Sequence, residues 1–251
     1  MTAHLYGMAH SHPVLAVKLM LEAADVPYEA HDIFPGFHSL VTRAKGFPKW
    51  IVPALDLDGT KLQSTLKISR ELDRRAPEAG LFPRDPEARR AVEEAERWGH
   101  DELQTVARRV FRWAGIKDNG VRAWMAREVI HAPAPTAVGM AFKPAMVVFG
   151  RYISKADDAT VRADLQRLPA LLDHIDELVE RGVIGGERPN AADFQIFTSL
   201  RLLMAHEDLR PFIEPRPSGQ AALRLLPGFP RPGAGAMAPV PAALPPAWLP
   251  A

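Results

Sequence analysis

The chain has 251 residues, of which 47% are hydrophobic and 24% charged, and its formal net charge is +1. This balance is typical of a globular protein with a sizeable core, and it predicts no nucleic-acid partner, because acidic residues match the basic ones. The chain has no cysteine, which excludes disulfides, thiolate metal sites and a cysteine nucleophile, so any thiol chemistry needs a thiol from outside.

The N-terminal stretch MTAHLYGMAHSHP has neither the basic and apolar regions nor the cleavage site of a signal peptide. No apolar run in the sequence approaches the ~20 residues that cross a membrane. We therefore expect a cytoplasmic location and no membrane partner.

Extended and helical patterns alternate over residues 3–76. Strands are predicted at 4–7 and 26–33, and two more (VPALDLDG and TKLQ) meet at Asp58-Gly59, a strong hairpin signal. Helical patterns fill the intervals at 13–24, 37–47 and 66–77. The order β-α-β-α-β-β-α predicts a mixed α/β domain over residues 1–80.

From residue 84 onward the pattern is helical. Asp85 as N-cap and Pro86 at the first helical position open a long amphipathic helix that is predicted to run to residue 115. Asn190 and Asp193 resemble a capping box in front of an apolar helix. Further helices are expected at 118–131, 137–154, 158–182 with a break at Pro169, and 191–207. These elements predict an all-helical domain over 86–210, joined to the first domain by a linker at 81–86.

Three arginines of the long helix, Arg108, Arg109 and Arg112, have acidic neighbours in the sequence and are predicted to form a solvated face. The segment 211–251 is rich in Pro, Ala and Gly, and this composition favours an extended, non-helical tail. Large apolar residues could fix the tail to the surface: Leu225, Leu226, Phe229, Trp248 and Leu249.

Ser11 lies between the first strand and the first helix, where its hydroxyl could cap the helix or donate a hydrogen bond to a ligand thiolate and lower the thiol pKa. Tyr6 offers another hydroxyl, although a tyrosine in a strand is more often a packing residue. His10 and His12 flank Ser11, but two histidines are too few for a metal site. We therefore predict no metal.

Pro53 heads the third strand, and Gln63-Ser64-Thr65 precedes the following helix. On these residues alone, a trans proline that begins an edge strand is favoured, whereas a cis Val52-Pro53 bond would turn the backbone of Val52 outward toward an extended ligand. Ser64 or Thr65 would cap the helix, and the helix N-terminus would suit a carboxylate.

Residues 3–210 resemble the cytosolic glutathione transferases, and specifically a bacterial, serine-type-like member. The features that carry the resemblance, in chain order, are the mixed domain with its Val-Pro strand, the polar-Ser pair and the capped C-terminal helix. The resemblance implies a thioredoxin-like N-terminal domain followed by an all-α C-terminal domain. It also implies a homodimer, with glutathione as a co-substrate and no further cofactor.

The resemblance implies a glutathione site as well. The Val52-Pro53 bond would be cis, with Val52 pairing the cysteinyl part of glutathione, while Gln63 and Ser64 would hold the γ-glutamyl end. Lys49 and Trp50 would lie near the glycyl end. Ser11 would activate the thiol, with Tyr6 and His10 as alternatives, because Ser11 is followed by His12 rather than by the Pro-aromatic pair of many relatives.

Two functions follow from these expectations. The first is an enzyme that adds the thiolate of glutathione, or of a related small thiol, to a hydrophobic electrophile. The second is a non-catalytic binding or scaffold protein of the same fold, which the departure after Ser11 and the long tail favour.

Overall fold

A computed structural model describes residues 2–229 and 238–250 of the chain. The described residues form two compact units, one of residues 2–101 with Gly182–Thr198 and one of Glu102–Arg181 with 199–229 and 238–250. These units follow packing, whereas the predicted domains 1–80 and 86–210 follow the secondary-structure pattern, so those domain boundaries stay a prediction. None of the described helices is long and apolar enough to cross a membrane.

The first unit contains a four-stranded sheet with the strand order β2-β1-β3-β4, in which β1 is parallel to β2 and antiparallel to β3, and β3 is antiparallel to β4. The predicted order β-α-β-α-β-β-α is confirmed. The elements of residues 2–101 are β1 Ala3–Gly7, α1 His12–Ala23, β2 Tyr28–Asp32, α2 His38–Ala44, β3 Ala54–Leu57, β4 Thr60–Gln63, α3 Thr65–Arg75 and α4 Pro86–Trp98.

The hairpin turn between β3 and β4 is the one that the sequence predicts. Asp58 and Gly59 both have positive φ, at 50° and 83°, as a type I′ turn requires. Helices α1 and α3 pack together, and Met20, Ile68 and Leu72 are fully buried. Burial of each such side chain contributes about 1.5–3 kcal/mol, which fixes these helices and therefore the positions of their N-termini.

The remaining helices are α5 Gln104–Lys117, α6 Asn119–Glu128, α7 Pro135–Val148, α8 Asp158–Gln166, α9 Leu168–Glu180, α10 Ala191–Met204, α11 Arg210–Ile213 and α12 Pro217–Leu225. The long helix predicted from Pro86 is interrupted by a π-helical turn at Gly99–Leu103. A Cβ atom on Gly99 would lie 2.7 Å from Cγ1 of Ile196, so glycine permits a close approach of α10 at this turn.

The predicted solvated face of α5 is wrong. Arg109 forms an ion pair with Asp164 at 2.7 Å, and Asp164 is only 5% exposed. Arg112 donates a hydrogen bond to Ser154, and its guanidinium lies 4.6 Å from the ring centroid of Phe149. Burial lowers the pKa of Arg112 to about 9. The acidic neighbours in the sequence are not the partners, because α5 is covered by segments 40–55 residues away.

The predicted non-helical tail is also wrong over Pro217–Leu225, which forms α12. Pro217 occupies the first turn of this helix, where its missing N–H costs nothing, and alanine and leucine then favour the helix. Leu226 and Phe229 are buried, as predicted for residues that fix the segment. The ring of Trp248 lies 5.2 Å from that of Trp113. Residues 230–237 and 251 of the predicted tail lie outside the described residues.

Candidate functional site

Strand direction brings the predicted site residues to one end of the sheet. Tyr6 near the end of β1 pairs with Ala54 at the start of β3, which pairs with Gln63 at the end of β4. The segments that contain Ser11, Val52-Pro53 and Ser64 each adjoin this row of paired residues. Since neighbouring strands lie about 4.8 Å apart, the three segments lie within reach of one extended tripeptide.

Ser11 occupies the N-cap position of α1, with the extended backbone that a cap residue normally has (φ −79°, ψ 118°). Its side chain makes no capping hydrogen bond to any described residue. The backbone N–H of Ser11 donates to the carbonyl of Met8 at 3.0 Å, which fixes the turn after β1. Ser11 is partly exposed. Its hydroxyl lies at the positive end of the helix dipole and is available to a ligand.

The Val52-Pro53 peptide bond is cis, as the resemblance implies. The segment before it is held by the side chain of Gln63, which is 5% exposed. Its Oε1 accepts from the N–H of Lys49 at 2.8 Å, and its Nε2 donates to the carbonyls of Lys49 and Ile51, each at 2.7 Å. Both N–H donors of this side chain and one lone pair of its oxygen are thus used to fix residues 49–51.

Ser64 precedes α3 with φ +83° and ψ 138°, in a region that residues other than glycine rarely adopt. Such strain costs of order 1–3 kcal/mol and is concentrated at functional sites. The side chain of Ser64 makes no capping hydrogen bond in the described chain. Thr65, the other predicted cap, is 1% exposed and lies 3.2 Å from Nδ1 of His100. Neither predicted side-chain cap is therefore formed at α3.

The other predicted residues differ in their surroundings. Tyr6 is 7% exposed, and its ring stacks on His31 at 4.4 Å and meets Phe47 edge-on at 5.7 Å. Trp50 is 57% exposed, with the guanidinium of Arg43 5.5 Å from its ring centroid. His10 lies in the turn before Ser11 and is partly exposed. Tyr6 therefore packs in the core beside the sheet, as its position in a strand predicts.

The capping box before α10 is confirmed. The Oδ1 of Asn190 accepts from the N–H groups of Ala192 and Asp193, and the carboxylate of Asp193 accepts from the N–H of Asn190 at 2.8 Å and of Gly185 at 2.5 Å. Burial raises the pKa of Asp193 to about 6. Its role is structural, as predicted.

Chemically, this end of the sheet suits an anionic peptide. Helices α1 and α3 both begin after strands that end there, each behind a serine whose hydroxyl makes no capping hydrogen bond. Backbone N–H groups at a helix N-terminus bind carboxylates. Two features of this sheet have no local signal in the sequence: the role of Gln63 in fixing residues 49–51, and a cluster of His4, Glu29 and His31.

The arrangement is that of a glutathione S-transferase fold, and comparisons with known proteins agree. Residues 5–80 match the family model for the glutathione S-transferase N-terminal domain. No curated protein matches the chain by sequence.

Solved structures match along most of the chain. A glutathione S-transferase from Pseudomonas fluorescens is 19% identical, with 91% of this chain and 96% of that chain covered and a TM-score of 0.53. One from Rhodospirillum rubrum is 20% identical, covering 91% and 89%, with a TM-score of 0.59. Poplar glutathione transferase F1 is 13% identical, covering 90% and 92%, with a TM-score of 0.61.

Residues 5–80 are therefore a glutathione S-transferase N-terminal domain, and the chain has the glutathione S-transferase fold, with a helical region after the mixed sheet. Over residues 5–80 the family model thus agrees with the glutathione S-transferase family that the motifs resemble, and the solved structures agree with it in fold.

Proposed function

We propose that the protein is a glutathione transferase, which joins the sulfur of glutathione, or of a related small thiol, to a hydrophobic electrophile. The observation that carries this proposal is the meeting of the N-termini of α1 and α3 with the cis-proline strand at one end of the sheet. This end offers donors for a carboxylate, an extended backbone for a peptide and a hydroxyl for a thiolate.

In the proposed complex, the backbone of Val52 pairs with the cysteinyl unit of glutathione. Ser64 and the uncapped N–H groups of α3 bind the γ-glutamyl carboxylate, which the helix dipole stabilises. Gln63 acts as a positioning residue, because its amide is already committed to residues 49–51. Lys49 and Trp50, on the segment that Gln63 holds, border the glycyl end.

Ser11 then supplies the chemistry. Its hydroxyl donates a hydrogen bond to the sulfur and, with the N-terminus of α1, lowers the pKa of the thiol, so that the proton is released to solvent. The thiolate forms a bond to the electrophilic carbon while the leaving group departs with its electron pair. Tyr6 and His10 remain alternative activators, with Tyr6 the weaker one because its ring packs in the sheet core.

The test compares the conjugation of glutathione to a chloronitrobenzene electrophile by wild-type protein and Ser11→Ala. A hydrogen bond to a charged group contributes about 1.5–3 kcal/mol, so we expect the variant to be slower by roughly 10- to 100-fold. Thr136→Ala is the matched control, since it removes an exposed hydroxyl from the first turn of α7. Equal rates for wild type and Ser11→Ala would exclude Ser11 as the activating group.

The second candidate is a non-catalytic binding protein of this fold. It is favoured by the hydrogen bonds of the Gln63 amide to residues 49–51, which leave that side chain no free donor for the γ-glutamyl end. Calorimetry separates the two functions. The enzyme should bind glutathione with a saturable heat, whereas a scaffold without the site should give neither heat nor a thermal shift.

We also propose that the protein is a homodimer. The first unit exposes large apolar side chains, two of them on the segment 49–51 that Gln63 holds: Phe34, Phe37, Leu40, Trp50 and Ile51. Exposed apolar groups of this size are typical of protein interfaces. Light scattering after size exclusion should give twice the chain mass, and Leu40→Glu should shift the protein toward the monomer. A wild-type mass equal to that of one chain would contradict the dimer.

A further inference from the structure

Three side chains with metal-binding groups meet on one face of the sheet, where β1 pairs with the edge strand β2. Nδ1 of His4 lies 3.2 Å from Nε2 of His31 and 3.2 Å from Oε2 of Glu29. Oε1 of Glu29 lies 3.7 Å from Nε2 of His31. Two imidazole nitrogens and a carboxylate thus form a compact triangle of ligand atoms.

The strand register explains why these residues meet although the two histidines are 27 positions apart. In the parallel pair, His4 aligns with Glu29 and Tyr6 aligns with His31. Side chains two residues apart share a face of a strand, so Glu29 and His31 lie beside each other with His4 opposite. The stacking of His31 on Tyr6, at 4.4 Å and 11° between ring planes, fixes the direction of its ring.

The separations match the edges of a metal coordination polyhedron. Zinc binds imidazole nitrogen at about 2.0–2.1 Å and carboxylate oxygen at about 2.0–2.2 Å, which in a tetrahedron places neighbouring ligand atoms about 3.3–3.5 Å apart. The two imidazole nitrogens are 3.2 Å apart, and the Glu29 carboxylate lies 3.2 Å from His4 through Oε2 and 3.7 Å from His31 through Oε1, each close to this value. One ligand atom from each of the three side chains lies within 4.8 Å of the other two. We propose that His4, Glu29 and His31 bind one divalent first-row transition-metal ion, with Zn²⁺ as the best fit.

The ligand set also selects the kind of ion. Two imidazoles favour zinc, copper or nickel over magnesium and calcium, which prefer oxygen ligands. Three protein ligands leave a tetrahedral ion one open position, which water can fill. The side chains of His4 and His31 are about one-third exposed and that of Glu29 is 65% exposed, so the ion can enter from solvent.

The charged side chains near the three ligands do not prevent metal binding. Asp56 pairs with His4 on the other side of β1, but its carboxylate is bound to Lys61, so it adds little net charge. The ammonium of Lys45 lies 5.6 Å from the ring centroid of Tyr6. A divalent ion would link the edge strand to the centre of the sheet, independently of the proposed glutathione chemistry.

The test is a Zn²⁺ titration of tag-free protein in competition with a fluorescent chelator. Because the chain has no cysteine, thiol binding cannot obscure the result. We expect one ion per wild-type chain, and affinities at least 10-fold weaker for His4→Ala, His31→Ala and Glu29→Gln. His174→Ala is the matched control, since His174 lies 3.9 Å from Glu177 on α9 but belongs to no group of three metal ligands among the described residues, and this variant should bind Zn²⁺ like wild type.

A spectroscopic measurement distinguishes coordination from an indirect effect on folding. Electron paramagnetic resonance of bound Cu²⁺ should show two imidazole nitrogens in wild type and one in each histidine variant, with unchanged circular dichroism of the metal-free proteins. Glu29→Gln, at an exposed position, serves if a histidine variant fails to fold. The proposal is overturned if wild type binds Zn²⁺ no more tightly than Glu29→Gln and the double variant His4→Ala/His31→Ala, or if the nitrogen signals do not change.

Discussion

Replacing Gln63 with leucine tests whether this side chain holds the segment that precedes the cis proline. Leucine fills a similar buried volume but removes three hydrogen bonds, those to the N–H and carbonyl of Lys49 and to the carbonyl of Ile51. At about 0.5–1.5 kcal/mol net for each of the three bonds, the loss is about 1.5–4.5 kcal/mol. Because water can reach the exposed segment 49–51 once it is released, we expect the lower part of this range.

Gln63→Glu tests the hydrogen bond that the side chain accepts separately from the two that it donates. A carboxylate can still accept from the N–H of Lys49, but it cannot donate to the two carbonyls that Nε2 contacts. At neutral pH this variant should therefore be at least as unstable as Gln63→Leu. It should recover stability in acid, where a protonated carboxyl regains one donor.

Urea unfolding measures the loss of stability, and hydrogen exchange at the amide of Lys49 measures it locally. Both Gln63 variants should lose protection at that amide and should bind glutathione more weakly than wild type. Gln220→Leu is the control, because the side chain of the exposed Gln220 donates to the carbonyl of Glu214 and does not contact residues 49–51. The reasoning is refuted if Gln63→Leu unfolds within about 0.5 kcal/mol of wild type and leaves the exchange of Lys49 unchanged, since such a change is typical of surface substitutions.

Three further predictions concern charge and burial. Burial lowers the pKa of His206 to about 4, below the ~6.5 of the unfolded chain. The unfolded chain therefore binds the proton more readily, and about 3 kcal/mol of the free energy of unfolding should be lost as the pH falls from about 6.5 to 4. In urea titrations, His206→Leu should abolish this part of the pH dependence. Asp193→Asn should destabilise by about 1–3 kcal/mol, because asparagine has one acceptor oxygen in place of two, so the N–H of either Asn190 or Gly185 loses its acceptor. Calorimetric unfolding with no loss of stability would exclude this role. Ser11→Cys introduces the only thiol of the chain, and its pKa can be measured from alkylation rates. This pKa should lie below about 8.5 and below that of the thiol in Ala30→Cys, on the exposed edge strand. Equal values would contradict the stabilisation of a thiolate by the N-terminus of α1.

The element order was predictable because it rests on local signals. Asp58-Gly59 forms the expected turn with both residues at positive φ, and Asn190 with Asp193 forms the expected capping box. In these cases neighbours in the sequence are also partners in space. The cis bond at Val52-Pro53 followed from the resemblance, since the isolated residues favoured a trans bond.

The sequence could not predict contacts between distant segments. Arg109 finds Asp164 on α8 rather than a neighbour on its own helix, so its burial depends on packing. His4, Glu29 and His31 meet only through the register of two parallel strands. Gln63 is expected to contact a ligand from its place in the motif, yet its amide contacts the segment 49–51.

The most direct test of the central claim is the pKa of the glutathione thiol in the bound complex, measured from thiolate absorbance against pH. The account predicts that binding to wild type lowers this pKa, and that Ser11→Ala reverses the change by about one to two pH units, the equivalent of a hydrogen bond to a charged group. A bound thiol with the pKa of free glutathione, or the same pKa in wild type and Ser11→Ala, would contradict it.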